Sequence, residues 1–334
     1  MRQKIVVTHM IPEKGVNLLR KNFDVEYNPN TGLLSKKQII SMSKDKDVIL
    51  SLLSDRIDAD VIDSCPNLKI ISNYAVGYNN IDVKYATKKN IVVTNTPRTL
   101  DETTSDFVFA LILAVSRRIV EADKFMRDGK FKGWSAMDFL GFDVFNSTLG
   151  IIGMGSIGKE VALRGYHGFN MKVLYSDRSV KPDMISVKAK HVTFYTLLRE
   201  SDFVTLNVPL TKETYHLIGE EELKTMKSTA YLINTSRGEV VDEKALYKAL
   251  KEKWIAGAAI DVFEEEPKFT SGLEKLDNIV MTPHIASASL GTRELMSVKA
   301  ANNIIDFFEG RIPEGLVNKE ILSDFQIKSR LVFL

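Results

Sequence analysis

Leu149-Gly150-Ile151-Ile152-Gly153-Met154-Gly155-Ser156-Ile157-Gly158 is the stretch on which the fold turns. Its first four positions form an unbroken apolar run, the mark of a strand buried on both faces, and residues 159–164 read as the start of a helix. Between them the G-x-G-x-x-G spacing provides a tight turn, room for backbone to approach a pyrophosphate, and close packing of helix on strand. The helix N-terminus adds an attraction for anions. The next strand-like run, 172–175, is followed by Asp177, nineteen positions after Gly158. An acid at that place can hold both ribose hydroxyls of a dinucleotide. Enzymes of S-adenosylmethionine share part of this geometry, so a methyltransferase stays open at this point.

Working outward, the alternation of strand and helix continues. Strands are expected at 203–208, 230–234, 257–261 and 279–282, with helices near 195–200, 220–226 and 243–251. That is a complete doubly wound sheet. Upstream, apolar runs at 5–8, 48–52, 69–72 and 91–94 alternate with helix-forming stretches at 12–21, 36–42 and 81–89, which implies a second parallel sheet covered on both faces. A single long helix is expected from Asp101 to about Gly129, opened by acidic side chains and closed by Arg117, Arg118 and Arg127. Its middle, 107–115, is apolar all round, so it lies between domains or, preferably, against a second subunit. A last helix at about 291–310 comes after the second sheet and is expected to return to the first domain. The tail 321–334 is not placed by the sequence.

The 334 residues suffice for two domains, and 44% hydrophobic with 26% charged residues leaves no room for collagen-like or largely disordered chains. Lys and Arg number 45 against 43 Asp and Glu, too balanced to supply the basic stripe that nucleic acid requires. The one cysteine, Cys65, excludes an internal disulfide, and no Cys/His cluster offers a metal site. A reducing cytoplasm is expected, with no export signal at the start. The apolar stretch 107–115 is far short of the roughly 20 residues that cross a bilayer.

Three side chains fall at the carboxyl ends of late strands, where a doubly wound sheet binds its ligands. Arg237 lies in Asn234-Thr235-Ser236-Arg237-Gly238, Glu266 in Glu264-Glu265-Glu266-Pro267, and His284 in Thr282-Pro283-His284-Ile285. A guanidinium can grip a carboxylate, an imidazole can protonate a developing alkoxide, and a carboxylate can hold the imidazole. Each has a plainer alternative. Arg237 could make a surface ion pair, the glutamate triplet alone reads as a solvated acidic run, and His9, His167, His191 and His216 lack any such setting.

With these residues in place, the chain resembles the D-isomer-specific 2-hydroxyacid dehydrogenases, and within them the glyoxylate/hydroxypyruvate reductase group, over residues 1–315. The resemblance rests on Val76-Gly77-Tyr78-Asn79-Asn80-Ile81-Asp82, Val93-Thr94-Asn95-Thr96-Pro97, 150–158, Leu206-Asn207-Val208-Pro209-Leu210-Thr211, 233–238, Ile260-Asp261-Val262-Phe263-Glu264 and Thr282-Pro283-His284. It implies Arg237, Glu266 and His284 as the catalytic set and the backbone of Val76 and Gly77 as a substrate-carboxylate cradle. It also implies that Gly153, Gly155, Ser156, Ile157, Gly158, Asp177, Val208, Pro209, Thr214, Thr235, Ser236, Arg237, Asp261, His284 and Ala286 lie along the cofactor. Asn79 departs from the aspartate of many relatives. Asp177-Arg178-Ser179 joins an NAD-type acid to an NADP-type Arg-Ser, so NAD is expected with NADP possible.

Pattern and resemblance together imply a fold of two doubly wound domains, a Rossmann dinucleotide domain at 101–286 inserted into a flavodoxin-like substrate domain at 1–100 plus 287–334, with the active site in a cleft between them. The expected reaction reduces a short 2-oxo acid, glyoxylate or hydroxypyruvate, to the D-2-hydroxy acid without a metal. The resemblance also implies a homodimer through the 102–129 region, with the Trp134 segment reaching the neighbouring subunit's active-site mouth; a Trp134 packed in the core of its own domain is the plainer alternative. D-3-phosphoglycerate, 2-ketogluconate or D-lactate are alternative substrates. A dinucleotide-sensing corepressor or scaffold is the alternative of another class.

Overall fold

The computed structural model describes residues 2–30 and 32–322. The described chain forms two compact units, one from the N-terminus to Leu100 together with the residues from Ala288 on, the other Asp101–Ser287. Most of the tail 321–334, from 323 on, lies outside the described residues.

The first unit is built on five parallel strands: β1 (Lys4–Val7), β2 (Asp24–Tyr27), β3 (Val48–Ser51), β4 (Ile70–Asn73) and β5 (Val92–Thr94). Their order, β2-β1-β3-β4-β5, is the flavodoxin-like one. β3, β4 and β5 are buried along their whole length, as the apolar runs require. The helix Leu290–Phe308 belongs to this unit and packs on the helix Glu13–Arg20. The approach is close at Gly15, where a Cβ would sit 2.1 Å from the Ser297 carbonyl oxygen, so only glycine fits.

The second unit carries seven parallel strands: β6 (Thr148–Ile152), β7 (Lys172–Ser176), β8 (Lys190–His191), β9 (Phe203–Leu206), β10 (Tyr231–Asn234), β11 (Gly257–Ile260) and β12 (Ile279–Met281). The order β12-β11-β10-β9-β6-β7-β8 is the Rossmann order extended by one strand. Because every pairing is parallel, all strand carboxyl ends share one edge. The loops that leave that edge begin with Gly153, Asp177, Asn207, Thr235, Asp261 and Thr282.

The single helix expected from Asp101 to about Gly129 is two helices, Asp101–Ser116 and Ile119–Arg127. Arg118 between them has φ of +52°. The Ser116 carbonyl, which would continue the helix, instead accepts the Phe142 N–H at 2.9 Å. Arg118 is held in its turned position by a two-pronged bond to Glu121 at 2.8 and 2.6 Å. Of the apolar stretch 107–115, Val108, Phe109, Leu111, Ile112 and Val115 are buried, whereas Ala110 is exposed and Phe107, Leu113 and Ala114 are partly so. Among the described residues no helix is long and apolar enough to cross a membrane.

Candidate active site

The glycine turn is built as its spacing requires. Gly153 has φ of +91°, and a Cβ there would lie 2.7 Å from the Asn207 carbonyl oxygen. At Gly158 a Cβ would lie 2.2 Å from the Gly153 oxygen, so this glycine lets the helix Ser156–Phe169 sit on β6. Gly155 differs: a Cβ there would meet no protein atom within 4 Å. Protein packing does not demand glycine here, and the space in front of the turn is open. Ser156 and Ile157 open the helix beside this cradle.

Asp177, at the end of β7, accepts the Met154 N–H at 2.8 Å on Oδ2 and the Ser179 N–H at 3.3 Å on Oδ1. Lys181 Nζ stands 3.1 Å from the same Oδ1. Burial pushes the Asp177 carboxyl up, but these N–H groups and the Lys181 charge outweigh it and hold the group below its ordinary value. It is a carboxylate at neutral pH. Val208 and Pro209 follow β9, and Thr214 folds back on their loop, its hydroxyl donating to the Pro209 carbonyl at 2.7 Å.

At the end of β10, the buried Asn234 shapes the turn that carries Thr235, Ser236 and Arg237. Its Oδ1 accepts the Ser236 N–H at 3.0 Å and hydroxyl at 2.9 Å, and its Nδ2 donates to the Arg237 carbonyl at 2.8 Å. The Arg237 guanidinium donates to the Ser236 carbonyl at 2.6 Å. Burial lowers its pKa from the ordinary arginine value, opposed by the charges of Glu266 and Glu239, so it works in electrostatic reach of Glu266.

His284 follows β12 with φ of +54°. Its Nδ1 lies 2.9 and 3.1 Å from the two carboxylate oxygens of Glu266. Burial raises the Glu266 carboxyl, yet the His284 hydrogen bond and charge, the Phe263 N–H at 3.2 Å and the Arg237 charge hold it below its ordinary value. The buried Asp261 organises the loop beneath: Oδ1 accepts the Thr282 hydroxyl at 2.6 Å and the Ile285 N–H at 2.9 Å, and Oδ2 accepts the Ala286 N–H at 2.8 Å. Arg237, Glu266 and His284 are thus neighbours on one sheet edge.

In the first unit, Val76 and Gly77 follow β4 with their carbonyls pinned by side-chain amides, Val76 by Asn95 at 2.7 Å and Gly77 by Asn73 at 2.8 Å. Among the described residues no partner takes their backbone N–H groups. Asn234 and Thr282 are site residues that motif and spacing do not single out. Asn234 carries a signal nonetheless, since asparagine ending a strand before Thr-Ser bonds backbone two residues on. No cluster of three His, Cys, Asp or Glu side chains that could hold a metal occurs among the described residues.

A seven-stranded Rossmann sheet with this turn and this edge defines a dinucleotide-dependent oxidoreductase. Residues 109–286 match the family model described as D-isomer specific 2-hydroxyacid dehydrogenase, NAD binding domain. A glyoxylate reductase of Korarchaeum cryptofilum is 53% identical over 325 residues, covering 96% of this chain and 98% of its own. Two solved structures share the architecture. One is the NADPH-dependent glyoxylate/hydroxypyruvate reductase of Sinorhizobium meliloti in complex with NADP and malonate, with TM-score 0.83, 29% identity, and 95% and 97% of the chains covered. The other is the D-lactate dehydrogenase of Aquifex aeolicus complexed with NAD and lactic acid, with TM-score 0.80, 30% identity, and 92% and 96% covered. The chain belongs to the D-isomer specific 2-hydroxyacid dehydrogenases.

Proposed function

We propose that this protein reduces glyoxylate and hydroxypyruvate to the D-2-hydroxy acids. The Glu266–His284 pair beside Arg237 carries the reading, supported by the relative of 53% identity that bears the glyoxylate reductase name. A reduced nicotinamide dinucleotide, when bound, supplies the hydride. Gly153, Gly155, Ser156, Ile157 and Gly158 would hold its pyrophosphate, and Asp177 its ribose; Val208, Pro209, Thr214, Thr235, Ser236, Asp261 and Ala286 would lie along it. The open cradle at Gly155 fits that role.

Arg237 binds the substrate carboxylate. In the first unit the N–H groups of Val76 and Gly77 are the proposed cradle for a carboxylate. With Nδ1 committed to Glu266, Nε2 of His284 carries the proton that passes to the substrate oxygen as the carbonyl becomes an alcohol. Glu266 accepts from Nδ1 and so fixes the ring orientation in which Nε2 delivers its proton. In this reading residues 101–286 are the dinucleotide domain and 1–100 with 287–334 the substrate domain. The incompletely covered face at Phe107, Ala110 and Leu113 supports a homodimer through the 102–129 region. A reducing cytoplasm suits Cys65, buried and with its thiol pushed up to about 11 by burial.

Turnover tests the reading. NADH oxidation with glyoxylate at ordinary enzyme rates is expected, with most of kcat lost in His284→Ala at every pH. In Glu266→Gln the basic limb of the reduction profile moves to lower pH. A His284→Ala enzyme of undiminished kcat would overturn the assignment, and absence of turnover on any 2-oxo acid would favour a dinucleotide sensor.

A further inference from the structure

The short segment that carries Glu266 is tied down by two carboxylates that take no part in the proposed chemistry. Glu243 is the first residue of the helix Glu243–Lys251 and is 3% exposed. Its Oε1 accepts the Glu264 N–H at 2.6 Å, and its Oε2 accepts the Thr270 N–H at 2.7 Å. Glu264 returns the bond, its Oε1 accepting the Glu243 N–H at 2.8 Å, while its Oε2 meets His216 Nε2 at 2.9 Å. The anchored positions, 264 and 270, bracket Glu266. Within the bracket the Glu265 carbonyl accepts the Lys268 N–H at 2.8 Å and closes a turn. From the other side the backbone after Arg237 lies directly on the segment, since a Cβ on Gly238 would sit 1.9 Å from the Phe263 carbonyl carbon.

We propose that Glu243 and Glu264 are positioning residues that hold Glu266 against His284. The proposal rests on the catalytic reading of Glu266 and His284. Its physical content is the exchange of charge-assisted bonds between two carboxylates and two backbone N–H groups. The segment cannot shift without leaving a buried carboxylate unpaired, so Glu266 does not have to be ordered at the moment of reaction. The two glutamates differ in one testable respect. Both oxygens of Glu243 accept backbone N–H groups, and an amide would turn an NH2 donor towards one of them. Glu264 accepts one N–H and faces an imidazole nitrogen, an arrangement that a glutamine reproduces.

The experiment measures glyoxylate reduction by NADH across neutral and basic pH for wild type, Glu243→Gln, Glu264→Ala, Glu264→Gln, Glu266→Gln and the double variant Glu264→Ala/Glu266→Gln. Thermal denaturation of each is followed in parallel. Glu243→Gln and Glu264→Ala should lower kcat roughly tenfold with KM changed far less, as expected of a small displacement of a catalytic group. Both should move the basic limb to lower pH, in the direction of Glu266→Gln. Glu264→Gln should recover much of the loss. The effect of Glu264→Ala should vanish when Glu266 is already glutamine, because it acts through that carboxylate.

A lowered melting temperature with an unmoved pH profile, or a Glu264→Ala loss that simply adds to that of Glu266→Gln, would make the clamp structural only and overturn the proposal. If Glu243→Gln does not fold, the Glu264 variants and the double variant decide. An unaltered profile in Glu266→Gln itself would instead overturn the underlying reading, an outcome distinct from failure of the clamp.

Discussion

The backbone N–H of His284 donates to the carbonyl of Asp261 at 2.8 Å, while the Asp261 carboxylate accepts the N–H groups of the next two residues, Ile285 and Ala286. One buried residue thereby fixes the loop around His284, whose left-handed backbone is uncommon for a side chain other than glycine. Burial raises the Asp261 carboxyl above its ordinary value, and the Thr282, Ile285 and Ala286 bonds with the His284 charge only partly offset it. Asp261 holds the loop from beneath and Glu266 holds the ring, so the imidazole is constrained at both backbone and side chain.

Asp261→Asn should loosen this arrangement. The amide keeps one acceptor oxygen where three donors converge, and an unsatisfied buried N–H costs about 1–3 kcal/mol. The melting temperature should fall, and kcat for reduction should fall by more than KM rises. Unchanged kcat in a folded variant would show that the loop keeps its geometry without the carboxylate.

Glu266 gives a prediction in the acid range. Its carboxyl is held below the ordinary glutamate value of 4.5, so the folded state binds its proton less readily than the unfolded one. The stabilisation is fully present above about pH 4.5 and is lost as the pH falls through the depressed value. The difference in melting temperature between wild type and Glu266→Gln should therefore be constant near neutrality and shrink below that point. Denaturation at a series of pH values checks it; a difference that persists unchanged into acid would show that the pair does not stabilise the fold.

The strands other than β2 and β8, the glycine turn, and the strand-end positions of Arg237, Glu266 and His284 are legible in the sequence because each sits where a local pattern meets a strand end. The illegible features are non-local. Glu264 reads as part of a solvated triplet, and only the distant Glu243 and His216 give it partners. The break at Arg118 has no glycine or proline to announce it, since its cause is the Phe142 N–H some two dozen residues on. β2 is equally silent. Asp24, Val25, Glu26 and Tyr27 form an edge strand that is nowhere fully buried, so it lacks the apolar run that marks its neighbours.

Cofactor choice turns on Asp177 and on Lys181, a neighbour that belongs to no motif. A carboxylate beside the ribose accepts its hydroxyl protons and repels a 2′-phosphate, which favours NADH. Lys181 at 3.1 Å mutes that repulsion and offers the phosphate a cation. NADH should have the higher kcat/KM, Lys181→Gln should widen the preference, and Asp177→Asn should narrow it, each by about an order of magnitude or less. Kinetics with both nicotinamides on the three proteins decides it; a wild-type preference for NADPH would place control with Arg178 and Lys181 instead.

Substrate size is the last consequence, and it starts from Trp134. The side chain is 87% exposed, which removes the possibility that it packs in the core of its own unit. It belongs to an apolar segment that is also exposed at Phe131, Met137, Leu140 and Phe145. So much uncovered apolar surface in one stretch is what a protein contact would bury, in keeping with the homodimer proposed above for the face at Phe107 and Ala110. If the ring reaches the partner's substrate site, it narrows the space beyond the substrate's C3. A phosphorylated substrate would need a charge-assisted grip, and Arg56, the one arginine of the 52–58 loop whose Leu52 and Asp55 carbonyls accept from Asn80, is 83% exposed in its side chain and already faces Asp58 at 3.6 Å. Glyoxylate and hydroxypyruvate should therefore show higher kcat/KM than 3-phosphohydroxypyruvate or branched 2-oxo acids. Trp134→Ala should favour the larger substrates more than it harms glyoxylate, and sedimentation should show a dimer in wild type. Four substrates measured on both proteins test this: best activity on the phosphorylated acid would refute the size argument, and an unchanged ranking in a dimeric variant would confine Trp134 to the contact between subunits.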